Sequence, residues 1–242
     1  MKRIFTFADI SRESKKTAYF LTQQGIKKGD AVMLILRRRY EFWWFMLALH
    51  RIGAIAVPAT DQLLEKDIEY RTNAAEIKMI VSFDSPALLA EIEKAMPNSK
   101  TVEKLVTVGT EREGWVHFHS EVQKYAPEFP RPQGDLATHN EDPMLMYFTS
   151  GTSGYPKMVL HNFLYPLGHI ITAKYWQCVV DDGLHLTVAE TGWAKATWGK
   201  LYGQWIAGTA IFVYDMLSFK PDRMLQKIAQ YKITTFCAPP TV

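Results

Sequence analysis

Unbroken apolar runs alternate along this chain with longer stretches in which apolar positions recur at a helical period. Ala31-Val-Met-Leu-Ile-Leu36 is apolar at every position, the pattern of a strand covered on both faces. Before it, Thr6 and Asp9 have the spacing of a capping box, and the helix they open runs to Gln24, with Gly25 as its stop. Tyr40–Ile52 reads as a helix closed by Gly53; its solidly apolar core, Phe42 to Leu49, predicts burial on every side. Ala54–Val57 is a short strand. The same alternation gives a helix near Leu63–Ala74, a strand at Ile77–Phe83, a helix at Pro86–Ala95 and a strand at Leu105–Val108. Four prolines and a glycine between Pro127 and Pro143 mark a long surface connection. Beyond it, Met144–Phe148 is a strand that feeds a Gly/Ser/Thr loop. A helix at about Phe163–Cys178, a strand near His185–Ala189, a helix at Lys195–Ala207, a strand at Ala210–Tyr214, a helix at Arg223–Tyr231 and a strand at Thr234–Cys237 follow. Strands separated by helices pair in parallel and carry helices on both faces of the sheet. The expected fold class is therefore α/β: a first α/β unit over about 1–126, a connection over about 127–142, and a second α/β unit over about 143–242 built around the loop.

Composition narrows the function. With 48% hydrophobic and 22% charged residues among 242, the chain has an ordinary globular balance and can bury a sizeable core. A net charge of +3 is too small to argue for nucleic acid, and the densest basic clusters, Lys27–Lys28 and Arg37–Arg39, read as solvated turn and helix-entry positions. The two cysteines, Cys178 and Cys237, are far apart and lack metal-ligand spacing, so a reducing cytoplasm is the expected compartment. Met1–Asp9 lacks the apolar core of a signal peptide, and Phe42–Leu49 is only about a third of a membrane span. His117 and His119 share one face of a short extended stretch, but no further ligand lies close in sequence, so no metal site is expected.

The chemistry concentrates in Tyr147-Phe-Thr-Ser-Gly-Thr-Ser-Gly-Tyr-Pro-Lys157. Four hydroxyl side chains, Thr149, Ser150, Thr152 and Ser153, surround Gly151 and Gly154, and Lys157 follows. Glycines let backbone amides turn toward a ligand, hydroxyls add donors, and the ammonium places a point charge against phosphate oxygens. A strand–loop–helix context would seat such a ligand at the strand's carboxyl end. Gly/Ser/Thr clusters also make plain surface turns. The pattern is not the G-x-x-x-x-G-K-[ST] loop, because Gly151 and Gly154 stand too close together.

Thr149-Ser-Gly-Thr-Ser-Gly-Tyr-Pro-Lys157 resembles the phosphate-loop signature of the adenylate-forming superfamily, which includes acyl-CoA synthetases, luciferases and peptide-synthetase adenylation domains. Pro156-Lys-Met-Val159 followed by His161 is similar to its medium-chain acyl-CoA synthetase branch, where Met158 replaces the glycine of most relatives. Ala189-Glu-Thr-Gly-Trp193 resembles a segment of acetyl- and medium-chain acyl-CoA synthetases; Gly25-Ile-Lys-Lys-Gly-Asp30 and Leu49-His-Arg-Ile-Gly-Ala54 look like the family's first α/β unit. The similarity covers essentially the whole chain.

The resemblance implies part of the large N-terminal domain of an AMP-forming carboxylate–CoA ligase that turns a short- to medium-chain fatty or aromatic acid into acyl-adenylate and then acyl-CoA. ATP, CoA and the acid would be its small-molecule partners, with Mg2+ beside the phosphates. It implies that Thr149, Ser150, Gly151, Thr152, Ser153, Gly154 and Lys157 hold the β- and γ-phosphates. Trp193, with Gly192, would border the acyl tunnel; a tryptophan packed in the core is the competing reading. His161 would orient the loop or line the substrate entrance, or be structural. Glu190 is a single acid without a visible partner. The family's aromatic-Gly-x-Thr-Glu segment, its ribose-binding aspartate and the catalytic lysine of its mobile C-terminal domain do not occur after Lys157, and the chain halts at Pro239-Pro240-Thr241-Val242 just after an apparent strand. The chain therefore reads as a fragment, expected to be inactive alone and to self-associate through surfaces left uncovered. An adenylation enzyme that acylates a carrier protein and a non-catalytic nucleotide-binding or interaction module stay open beside the ligase.

Overall fold

The computed structural model describes residues 2–150, 154–216 and 218–240. It divides into two compact units, Met1–Phe163 and Leu164–Val242.

The first unit opens with helix α1 (Phe7–Gln23). Its capping box forms as the sequence predicts: the Asp9 amide donates to Thr6 Oγ1 at 3.1 Å, and the Thr6 amide donates to Asp9 Oδ2 at 2.9 Å. Strand β1 (Ala31–Ile35), helix α2 (Glu41–Ile52), strand β2 (Ile55–Pro58), helix α3 (Glu65–Ala74), strand β3 (Ile77–Ser82) and helix α4 (Pro86–Ala95) continue the alternation. Strand β4 (Lys104–Thr107) is followed by the short strand β5 (Val116–His117) and helix α5 (Phe118–Val122), two small elements that hydropathy does not announce. Strands β6 (Pro143–Thr149) and β7 (Lys157–Asn162) close the unit.

These strands form one sheet in the order β5-β4-β3-β1-β2-β6-β7. Every neighbouring pair is parallel except β6 and β7. The period-two geometry of a strand sends alternate residues of β1 to opposite faces. Ala31, Met33 and Ile35 join Val57, Ile80, Ile68 of α3, and Leu88 and Ile92 of α4 in one core cluster. Away from that cluster, Phe20 of α1, Phe45 of α2 and Phe118 of α5 meet with centroids 4.7–6.3 Å apart, all fully buried. Each such ring contributes ~1.5–3 kcal/mol by transfer out of water. Gly53 closes α2 at φ +74, a left-handed conformation that glycine adopts without strain.

Two sequence expectations change here. Residues 143–163 do not start the second unit: β6 pairs with β2, Ala56 opposite Leu145, and so extends the first sheet. The proline-rich connection lies inside the first unit. The Gly/Ser/Thr loop, moreover, leads not from strand to helix but across a hairpin to antiparallel β7. Met158, Val159 and Leu160 are all exposed on this edge strand, so no apolar/polar alternation marks it in the sequence.

The second unit starts with helix α6 (Tyr165–Ile171), which continues through a π-helical turn at Thr172–Trp176. Strand β8 (Leu184–Thr187), helices α7 (Ala194–Lys200) and α8 (Tyr202–Ile206), strand β9 (Ala210–Ile211), helix α9 (Pro221–Tyr231) and strand β10 (Thr235–Cys237) follow. Its sheet is parallel, in the order β10-β8-β9. The single helix expected over 195–207 is broken at Leu201, whose φ −145, ψ −78 is not helical. Two glycines account for the need to break. A Cβ on Gly199 would meet Thr187 of β8 at 2.9 Å, and one on Gly203 would meet the His169 carbonyl of α6 at 2.2 Å, so each short helix docks closely on a different neighbour.

Candidate functional site

The β6–β7 hairpin brings the two ends of the loop together. Across its register Tyr147 faces Val159, Phe148 faces Met158, and Thr149 faces Lys157. The Thr149 hydroxyl donates to the Lys157 carbonyl at 3.4 Å, pinning the mouth of the loop. Thr149, Ser150, Gly154 and Lys157 are all exposed. Gly154 turns the chain at φ +97, where only glycine is free of strain. Gly151, Thr152 and Ser153 lie outside the described residues. What is described is a set of donors: hydroxyls, amides and one ammonium, with no carboxylate among Thr149, Ser150, Gly154 and Lys157. Such a set suits a polyanion.

Residues that sequence reasoning did not single out flank this tip. Tyr70, just before the last turn of α3, donates its hydroxyl to the Pro156 carbonyl at 3.0 Å and stacks on Tyr155 with centroids 4.8 Å apart and planes at 28°. The Arg71 guanidinium lies over the Phe148 ring at 5.0 Å. No local pattern signals this contact, because 86 positions separate Tyr70 from Pro156.

His161 sits toward the far end of β7 from Lys157, opposite Leu145, with its ring 6.0 Å from Tyr147. Burial lowers its pKa, so it stands as a neutral imidazole. His117 and His119 do not work together. His117 Nε2 pairs with the Gly109 carbonyl oxygen at 2.7 Å, whereas His119 Nε2 pairs with the fully buried Glu41 at 2.9 Å. Among the described residues no group of three His, Cys, Asp or Glu side chains could hold a metal.

The other sequence candidates belong to the second unit. Glu190 Oε1 accepts the Gly192 amide at 2.9 Å and the Thr191 hydroxyl at 3.1 Å, so this carboxylate shapes the turn that precedes α7. Trp193 caps α7 with extended backbone and is 59% exposed, which rules out a tryptophan packed in that unit's core. Behind the turn, Lys200 is 1% exposed, and its ammonium donates to the carbonyls of Thr187 at 3.3 Å and Ala189 at 2.5 Å. His185, fully buried, pairs with Thr235 Oγ1 and Thr187 Oγ1, each at 2.8 Å. Burial, reinforced by the charge of Lys200, lowers its pKa to about 4, so it is neutral at physiological pH.

Comparison with known proteins gives a consistent picture. The family model described as AMP-binding enzyme matches residues 1–242. Rat acyl-coenzyme A synthetase ACSM4, mitochondrial, is 35% identical over 241 residues, which are 98% of this chain and 40% of that protein. Human acyl-coenzyme A synthetase ACSM5, mitochondrial, is 33% identical with the same coverage. The chain thus spans 40% of the length of these relatives. Among solved structures, an acyl-CoA synthetase of Brucella canis superposes with a TM-score of 0.86 at 24% identity, covering 98% of this chain and 42% of the other. An anthranilate CoA ligase in complex with anthranoyl-AMP gives 0.88 at 23% identity, covering 97% and 44%. At these identities the structures establish the fold. The expected cytoplasmic location is corrected by the relatives, which are mitochondrial by name. Two unbridged cysteines speak for a reducing surrounding, and that property does not single out the cytoplasm. Among the described residues no helix is long and apolar enough to cross a membrane.

Proposed function

The chain belongs to the AMP-binding enzyme family, and from that premise we propose that it supplies the ATP-phosphate-holding part of a carboxylate–CoA ligase. In the proposed reaction a carboxylate oxygen attacks the α-phosphorus of ATP, the bond to the β-phosphate bridging oxygen breaks, and pyrophosphate leaves. The CoA thiol then attacks the acyl carbon, loses its proton, and releases AMP. A carboxylate is a poor acyl donor, and the mixed anhydride provides the missing leaving group. The protein's contribution to the first step is to position the triphosphate and stabilise the charge that gathers on the departing pyrophosphate.

The observation that carries this reading is the hairpin tip, where Thr149 and Lys157 stand opposite one another with Ser150 and Gly154 exposed between them. Hydroxyls and amides there would donate hydrogen bonds to the β- and γ-phosphate oxygens, and the Lys157 ammonium would neutralise part of their charge. Gly151, Thr152 and Ser153 complete the donor set in this proposal. Mg2+ would arrive on the phosphate oxygens and reduce their mutual repulsion. In the second unit, exposed Trp193 would form a wall for the acyl chain, and Glu190 would hold the turn that presents it, with Gly192 leaving room for the substrate. A short- to medium-chain or aromatic acid suits a flat apolar wall of this kind.

The test is titration calorimetry of the 242-residue chain with inorganic tripolyphosphate. Lys157→Ala should weaken binding about tenfold or more, the scale of one charge-assisted contact. Equal affinities for the two proteins would refute the assignment.

A further inference from the structure

Both arms of the hairpin tip are gripped from outside by the end of one helix. Tyr70 and Arg71 are consecutive residues of α3, and Arg71 begins its last turn. Tyr70 holds the return arm twice, through its hydroxyl on the Pro156 carbonyl at 3.0 Å and through the stack on Tyr155. Its ring also meets Phe148 of the outgoing arm edge-on at 6.3 Å. Arg71 covers the same Phe148 from 5.0 Å, and its Nε is buried without a hydrogen-bond partner among the described residues. Tyr155 is 67% exposed despite its stack. Helix α3 is itself secured to the core by Ile68, fully buried, and by Thr72, whose hydroxyl donates to Ser99 at 2.8 Å.

We infer that Tyr70 is a positioning residue for the phosphate-holding tip, with Arg71 as its support on the outgoing arm. A hydrogen bond to the carbonyl of residue 156 fixes the peptide that joins Pro156 to Lys157, and with it the direction from which Lys157 leaves the backbone. The stack on Tyr155 restrains the chain just after Gly154, the one left-handed residue described in the tip. A backbone segment that becomes ordered on binding loses conformational entropy. Restraining both arms beforehand removes part of that loss, so anion affinity should depend on a tyrosine that touches no anion. This inference rests on the phosphate-holding reading of the tip.

Two measurements on the full chain test it separately from that reading. Hydrogen exchange needs no ligand: Tyr70→Phe, which keeps the stack and loses the hydroxyl, should speed exchange of the amides of residues 154, 155, 157 and 158 several-fold while α4 and β3 stay protected. Tyr70→Leu, which loses both, should speed it further. Titration with inorganic tripolyphosphate should then show affinity falling about fivefold in Tyr70→Phe and about tenfold or more in Tyr70→Leu. Tyr155→Leu should mimic the loss of the stack, and adding it to Tyr70→Leu should cost little more. Wild-type exchange and affinity in both Tyr70 variants, with Lys157→Ala impaired, would overturn the inference and leave the phosphate reading standing. If Lys157→Ala binds as the wild type does, the phosphate reading falls, and the exchange data alone decide whether Tyr70 restrains the tip. Should Tyr70→Leu lose protection in α4 and β3 as well, Tyr70→Phe carries the test.

Discussion

The two units are held together by different interiors. In Met1–Phe163 the core is a broad apolar cluster on one face of a seven-stranded sheet and an aromatic knot of Phe20, Phe45 and Phe118. In Leu164–Val242 the apolar cluster is small, centred on Leu186, Val188 and Met224. Much of the buried interior there is polar: His185, Thr187, Thr191, Thr197, Lys200, Gln204 and Thr209. Apolar packing is non-directional and tolerant of shape, whereas a buried polar lattice is specific and fails when one member is removed. The first unit therefore mounts the β6–β7 hairpin on a sheet backed by apolar packing. The second is a set of directed hydrogen bonds that fixes one turn, Glu190–Trp193.

The contrast predicts unequal responses. Phe45→Ala removes a fully buried ring and should cost ~3–5 kcal/mol in denaturant unfolding of the first unit. A cost below about 1 kcal/mol would mean that the aromatic knot is not the core described here. Acid should act on the first unit through His50, whose pKa burial lowers to about 3, and on the second unit through His185. The folded pKa of His185, about 4, lies below the ordinary value of 6.5, so the unfolded chain takes up the proton first. Its contribution is fully present above pH 6.5 and declines as pH falls toward about 4, by ~1.4 kcal/mol per pH unit at most. Replacing His185 with Gln should flatten that part of the stability–pH profile; an unchanged slope would contradict it. Lys200→Met leaves the Thr187 and Ala189 carbonyls without their buried donor and should cost ~1–3 kcal/mol. Quenching of Trp193 fluorescence by acrylamide should also change, because the turn loses its anchor. Unaltered stability and quenching would show that the turn stands without the lysine.

The same contrast explains what was legible in the sequence. Strands buried on both faces, such as Ala31–Ile35, declare themselves by composition alone, and the capping box at Thr6 and Asp9 and the stop at Gly53 are local chemistry. Edge strand β7 is invisible because its solvent-facing Met158, Val159 and Leu160 are as apolar as a core run. That omission turned a hairpin into a strand–loop–helix and put the expected unit boundary at the proline-rich connection instead of at Phe163. The break at Leu201 was hidden because it answers to contacts of Gly199 and Gly203 with distant segments. In the candidate site, the donor residues of the loop and Trp193 were legible from motif. Tyr70, Arg71 and Lys200 were not, since an ordinary helix carries tyrosine, arginine and lysine for many reasons and only tertiary contact distinguishes these.

The central claim is that the β6–β7 tip holds the triphosphate of ATP. The direct measurement is amide hydrogen exchange of the 242-residue chain with and without saturating MgATP. The account predicts slowed exchange across Thr149–Lys157, with α4 and β3 unchanged. Protection confined to other segments, or none at any nucleotide concentration, would contradict it.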